Sequence, residues 1–261
     1  MKKKLLAVAI VAASVITAAG PAAAITHGDL DGDDHPYVGL MVAQDVDGNP
    51  LWRCSGTLIS PTLYLTAGHC TEAPAVRAEI WFDADVQGGI PGNGYPNAGE
   101  VSGTTFTHPD YDPDSFFLYD LGMVELDEPI VMDEYGELPV LDQLDRLKPR
   151  RSTTFTAVGY GLQRVNPAMV ESERVRMVAE PHLLQINTRG FTGDFSLLLS
   201  NNASTGGTCF GDSGGPNFLG DSNVIAGVTS FGLNGSCGGT GGVYRVDRAD
   251  DLDWIATFTT P

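Results

Sequence analysis

A chain of 261 residues, 42% hydrophobic and 18% charged, can bury a core of its own and does not have the composition of a disordered protein. Its 33 acidic and 15 basic residues leave a net charge of -18, which excludes a protein built to grip nucleic acid or an anionic membrane surface. Thirty-two glycines, with no heptad or collagen-like period, point instead to a turn-rich, strand-dominated fold.

At the N-terminus, Lys2, Lys3 and Lys4 precede an apolar stretch from Leu5 to Ala19 and then an Ala22-x-Ala24 pattern. This is the form of an export signal cut after Ala24, so a secreted chain starting at Ile25 is expected, with no stable membrane association once the signal is gone. Short β-branched and aromatic runs follow between glycine and proline punctuation: Tyr37 to Val42, Gly56 to Ile59, Ile80 to Phe82 and Leu121 to Leu126. The stretch Asp83 to Thr104 is dense in Gly and Pro and reads as a long irregular loop. Its Asp83, Asp85 and Glu100 are acids that could hold calcium, but a solvated loop is the simpler reading.

Leu138 to Arg151, richer in charge and carrying Pro139 and Pro149, suits a surface connection. A second set of runs comprises Thr153 to Val158, Val175 to Val178, Leu197 to Leu199, Val224 to Val228 and Val243 to Val246. The expectation is an all-β chain of two antiparallel barrels, residues 25–141 and 150–261. Asp250 and Asp251 ahead of Leu252, Ile255 and Phe258 predict a short C-terminal helix capping the second barrel.

Four cysteines in an exported chain favour disulfides. Three pairings of Cys54, Cys70, Cys209 and Cys237 are possible; the two local ones would each contribute about 3 kcal/mol by restricting the unfolded chain. The spacings lack the close pairs that structural zinc prefers, so neither metal nor cofactor is expected.

Chemistry concentrates in three segments. Cys209-Phe210-Gly211-Asp212-Ser213-Gly214-Gly215-Pro216 sets a serine in a glycine-dense turn, where backbone N–H groups can converge beside its hydroxyl. Such a serine needs a base and an acid to orient that base. His69 in Leu65-Thr66-Ala67-Gly68-His69-Cys70 and Asp120 at the head of an apolar run supply the residue types.

With Cys54-Ser55-Gly56-Thr57-Leu58-Ile59-Ser60, Val158-Gly159-Tyr160-Gly161, Thr229-Ser230-Phe231-Gly232 and Val243-Tyr244 in register, the sequence resembles the chymotrypsin/trypsin family of serine endopeptidases over nearly all of Ile25 to Pro261. The resemblance implies two six-stranded barrels with the site between them. Ser213 is then the nucleophile, His69 the base, Asp120 its orienting acid, and the N–H groups of Gly211 and Ser213 the oxyanion hole. It also implies the disulfides Cys54–Cys70 and Cys209–Cys237. Ser230 and Gly232 would pair with the substrate backbone; Gly207, with Thr208 beside it, would form the floor of the primary pocket and Gly232 and Gly242 its walls. With glycine at position 207 no charge stands on the pocket floor, which predicts a preference for Phe, Tyr or Leu. A freshly cut Ile25 ammonium would pair with Asp212.

Protein or peptide substrates and a monomer are expected. The rivals are a catalytically silent secreted homologue acting as a binding module, and an esterase. His35, His108 and His182 have no evident partner and read as surface residues. The loop from Asn187 to Gly206, without a cysteine of its own other than the one that follows it at Cys209, must be held by other means.

Overall fold

The computed structural model describes residues 25–166, 169–187 and 193–259; the expected export segment, residues 1–24, lies outside them. Six strands form the first barrel: β1 (Val38–Gln44), β2 (Pro50–Ser60), β3 (Leu63–Thr66), β4 (Arg77–Trp81), β5 (Val101–Thr107) and β6 (Gly122–Leu126). They close in the order β1-β2-β3-β6-β5-β4, every pairing antiparallel. The second barrel comprises β7 (Arg150–Gly159), β8 (His182–Ile186), β9 (Ser196–Asn201), β10 (Pro216–Leu219), β11 (Ile225–Gly232) and β12 (Gly239–Arg245). Its order, β7-β8-β9-β12-β11-β10 with β10 returning to β7, repeats the first. Met177–Ala179 and Asp29–Leu30 extend the sheet beyond β7.

The expected runs fall in or beside these strands, His69 follows the apolar strand β3, and the short strands that carried too little pattern are β8 and β10. β5 begins inside the segment read as loop, because Val101 and Gly103 turn inward and Gly103 packs against the Glu125 carbonyl. One core cluster spans both barrels, joining Tyr64, Leu65, Met123 and Val124 to Val158, Phe218, Val228 and Tyr244. Arg176, 1% exposed, adds a polar tie: it is paired with Asp31 at 3.0 Å and donates to the carbonyls of Val38 and Phe82 and to the Tyr160 hydroxyl. Cys54 is bonded to Cys70 and Cys209 to Cys237. Arg245 holds Asn187 and Asp247, which anchors the start of the loop whose residues 188–192 lie outside the description.

Two expectations are corrected. The C-terminal helix α1 (Ala249–Thr259) does not merely cap the second barrel: Phe258 packs on Phe106 at 5.2 Å and Trp254 on His108 at 5.1 Å, both in the first barrel. Nor are the histidines without partners, and one of them is buried. His108 is 4% exposed between Tyr119 and Trp254, His35 pairs with Asp31 and stacks on Phe218, and His182 bonds Ser200. Asp31 lies only four residues before His35, whereas Phe218, Trp254 and Ser200 reach these rings from segments distant in the chain, which no local pattern announced.

Asp251 of α1 is fully buried against the Tyr244 hydroxyl, and burial pushes its carboxyl up to about 8. A folded-state value above the unfolded one favours the fold below about pH 4, a contribution lost as pH rises through 8. Asp251→Asn lacks that slope. Its melting temperature relative to wild type is therefore expected to climb by several degrees between pH 4 and pH 8 and then level off, as followed by thermal unfolding.

Candidate active site

Asp120 has no exposed surface, and Tyr119 before it adopts a left-handed φ of 52° that turns the carboxylate away from β6 and toward the seam between the barrels. There it accepts from the backbone N–H of His69 at 2.9 Å and faces the His69 Nδ1 at 2.9 and 3.0 Å. The Ser230 hydroxyl, from the second barrel, donates to it at 2.5 Å. His69 sits on a single helical turn, Gly68–Thr71, which the Cys54–Cys70 disulfide fastens to β2.

The side chain of His69 is 26% exposed. Burial alone would lower its pKa, but the charge and hydrogen bond of Asp120, with a smaller contribution from Glu72, raise it above the ordinary histidine value.

Ser213 belongs to the turn between Cys209 and β10. Gly211, at φ 94°, and Gly214, at φ 78°, supply backbone conformations closed to other residues. At Gly214 space is equally restrictive: a Cβ would stand 2.0 Å from Thr66 Oγ1 and 2.7 Å from the Ala67 nitrogen. Ser55 stitches this turn to the first barrel. Its N–H donates to the Ser213 carbonyl at 2.8 Å, its hydroxyl donates to the Gly211 carbonyl at 2.9 Å, and the same oxygen accepts from Tyr160 N–H at 3.0 Å. With the carbonyls so engaged, the Gly211 and Ser213 N–H groups have no protein acceptor among the described residues. The Ser213 hydroxyl and His69 line one cavity but form no hydrogen bond to each other.

That cavity, of about 310 Å³, is also lined by Thr208, Phe210, Ser230, Phe231, Gly232 and Asn234. Of the five residues expected to bind substrate, Thr208, Ser230 and Gly232 line this cavity, whereas Gly207 and Gly242 are not among its lining residues. Gly207 N–H bonds the Thr26 carbonyl and its backbone rests on Asn201, leaving no room for a Cβ. Gly242 lies under the Phe231 ring, 2.3 Å from where its Cβ would be, and it is Gly241 that faces Thr208. Sequence reasoning missed Phe231 and Asn201. The Asn201 amide accepts from Thr26 Oγ1 and donates to the Thr208 carbonyl, a bridge that only the fold creates.

Beneath the turn, Asp212 is completely buried, accepting from Gly161 N–H at 2.7 Å and Cys209 N–H at 2.8 Å. Burial outweighs these bonds and pushes its carboxyl up to about 7. Ile25 is also fully buried, packed with Ala157, Met177 and Ala179.

The cluster of metal-ligand type formed by Cys54, His69 and Cys70 offers no thiolate, since both sulfurs are in the disulfide. Asp85 caps a turn through Gly88 N–H, and Glu100 accepts from the amides of Phe82 and Asp83, so these acids serve the loop's own backbone.

The sequence profile of the Trypsin family matches residues 32–255. The chain belongs to the trypsin family. Brachyurin of Leptuca pugilator is 31% identical over 220 residues, covering 80% of this chain and 88% of its own. Serine protease 7 of Drosophila melanogaster is 29% identical over 252 residues, 88% of this chain, and the match spans 63% of that longer protein. Among solved structures, HL collagenase superposes with a TM-score of 0.70 at 24% identity, covering 90% of this chain and 98% of the other, a likeness of fold. The same fold is shared at 16% identity and a TM-score of 0.66, over 90% and 97% of the two chains, by a scabies mite inactivated protease paralogue.

Two outcomes follow for this trypsin-family site. Because the His69 pKa is raised, the imidazolium–Asp120 pair stabilises the fold below pH 6.5, and this stabilisation is lost as pH rises through the folded value. His69→Ala should accordingly be more destabilising at pH 5.5 than at pH 9 in denaturant titrations. Gly214→Ala, which forces a Cβ into the seam at a left-handed φ, should cost about 3 kcal/mol or more.

Proposed function

We propose that the protein is a secreted serine endopeptidase that hydrolyses peptide bonds through an acyl-enzyme. Ser213 attacks the scissile carbonyl, His69 takes its proton and returns it to the leaving amine, and Asp120 holds the imidazole with Nδ1–H toward itself. The Gly211 and Ser213 N–H groups receive the developing oxyanion. The observation that carries this reading is the doubly anchored His69, held by Asp120 at backbone and ring, which lines the same cavity as Ser213, whose turn carries two unengaged N–H groups. Bonds between nucleophile and base commonly tighten only when substrate is bound.

Ser230 and Gly232 offer the β11 edge to an extended peptide. The pocket, walled by Thr208 and Gly232 with Phe210 and Phe231 at its sides, is uncharged and suits a large apolar side chain. Gly207 and Gly242 act from behind it by leaving room for Asn201 and the Phe231 ring.

Ile25 and Asp212 form the activation pair. Ile25 carries a left-handed φ of 53°, unfavourable for a β-branched residue within a chain, and a free N-terminal isoleucine has no such torsion. Its ammonium would supply the counter-ion that buried Asp212 lacks. The chemistry calls for no metal or cofactor, and the partners are protein or peptide substrates, with the chain acting as a monomer free of the membrane.

Fluorophosphonate labelling of Ser213 tests the nucleophile: wild type should label and Ser213→Ala should not, and an unlabelled wild type would mark a silent binding protein. Ser213→Ala and His69→Ala should each remove nearly all peptidase activity, with non-additive losses. N-terminal sequencing of the active form should begin at Ile25, and a peptide library should be cut mainly after Phe, Tyr or Leu. A profile dominated by Arg and Lys defeats the pocket assignment, and hydrolysis of simple esters without peptides favours the esterase.

A further inference from the structure

Arg53 stands one residue before Cys54, half-buried, with its guanidinium against the turn that holds Ser213: a Cβ on Gly211 would lie 3.1 Å from its Nε and Nη2. It donates to Ser172 Oγ at 3.3 Å. Arg174 lies 5.2 Å over the Tyr95 ring and donates to Gln87 Oε1 at 2.9 Å and to the Ser172 carbonyl at 3.1 Å, while its Nε is buried without an acceptor. Burial lowers the Arg53 pKa and the like charge of Arg174 adds to this, against raising contributions from Tyr95 and Asp212.

Among the described residues neither arginine has a carboxylate ion pair, in a chain with 33 acidic residues. The fully buried arginines are each paired, Arg176 with Asp31 and Arg245 with Asp247. Asp212 does not fill the gap, being enclosed below the turn by Gly161 and Cys209 N–H. Two guanidiniums drawn together without a counter-ion are costly, and their forked donors match a carboxylate.

The direction of the substrate follows from the same neighbours. Arg53, Arg174 and Tyr95 do not line the cavity that takes the acyl side chain. Arg53 borders Gly211 and the Cys54–Cys70 disulfide beside His69, the side on which a leaving amine would collect its proton. We infer that Arg53 and Arg174 form a carboxylate-binding subsite for the leaving-group half of the substrate, so that Asp or Glu in the first two positions after the scissile bond is preferred. The inference rests on the peptidase reading above.

The test uses internally quenched peptides identical up to the scissile bond, with Glu, Ala or Lys in the two positions beyond it, and the cleaved protein. The expected kcat/KM ratio of Glu to Ala is roughly threefold to tenfold, the size of a partly exposed charge-assisted contact, with Lys below Ala. The ratio should shrink at about 1 M salt. Arg53→Gln should bring it to about one, and Arg53→Lys should keep part of it. A wild-type ratio near one overturns the subsite, as does an Arg53→Gln protein that slows on all peptides equally with the ratio intact, since that is a packing role behind Gly211. If no peptide is cut, the peptidase reading falls by itself; fluorescence anisotropy with the Glu and Ala peptides then decides the subsite, and equal affinities overturn it.

Discussion

The seam between the barrels is where this structure is decided, and Ser55 is its central contact. One side chain and one amide from the first barrel hold two carbonyls of the Ser213 turn and one amide of the Gly159-Tyr160-Gly161 segment. The contact is possible only because Gly214 lets its backbone approach Thr66 and Ala67 within the space a single Cβ would occupy. Fixing the Gly211 and Ser213 carbonyls on the inner side leaves their N–H groups unengaged. The geometry of the turn is thus set by the partner barrel as much as by its own sequence.

The same division of labour governs Asp120. Burial of a carboxylate is expensive unless donors surround it. Here the first barrel provides the His69 amide and ring, and the second provides the Ser230 hydroxyl. Separation of the barrels would therefore strip the acid of a donor and the serine turn of its anchors together. The Arg176 cluster and the aromatic contacts of α1 on Phe106 and His108 oppose that separation from two other directions.

Electrostatics mark the places where the fold holds charge without balance. Asp212 is buried with only amide donors, and Arg53 beside Gly211, like Arg174, has no carboxylate ion pair among the described residues. The first has the character of a socket for a cation from the chain itself. The second has that of a socket for an anion from outside. On the proposed reading both act on the Ser213 turn, Arg53 against Gly211 and Asp212 from within the turn, so that the N-terminus and the leaving group would bear on neighbouring atoms.

The sequence by itself determined the strand-rich class, the family and the residue types at the site, because Gly-Asp-Ser-Gly-Gly, Ala-Gly-His-Cys and the acid heading Leu121 to Leu126 each carry their chemistry in adjacent positions. It did not reveal the short strands β8 and β10, which span too few residues to show a period, nor the start of β5 inside a glycine-rich stretch. Only the tertiary structure decided the contacts of Ser55 and Asn201, the placement of Arg53 against Gly211, the burial of His108, and the seating of the Phe231 ring over Gly242. Each of these depends on atoms brought together from segments distant in the chain, and local spacing carries no record of which backbone will arrive opposite a given side chain.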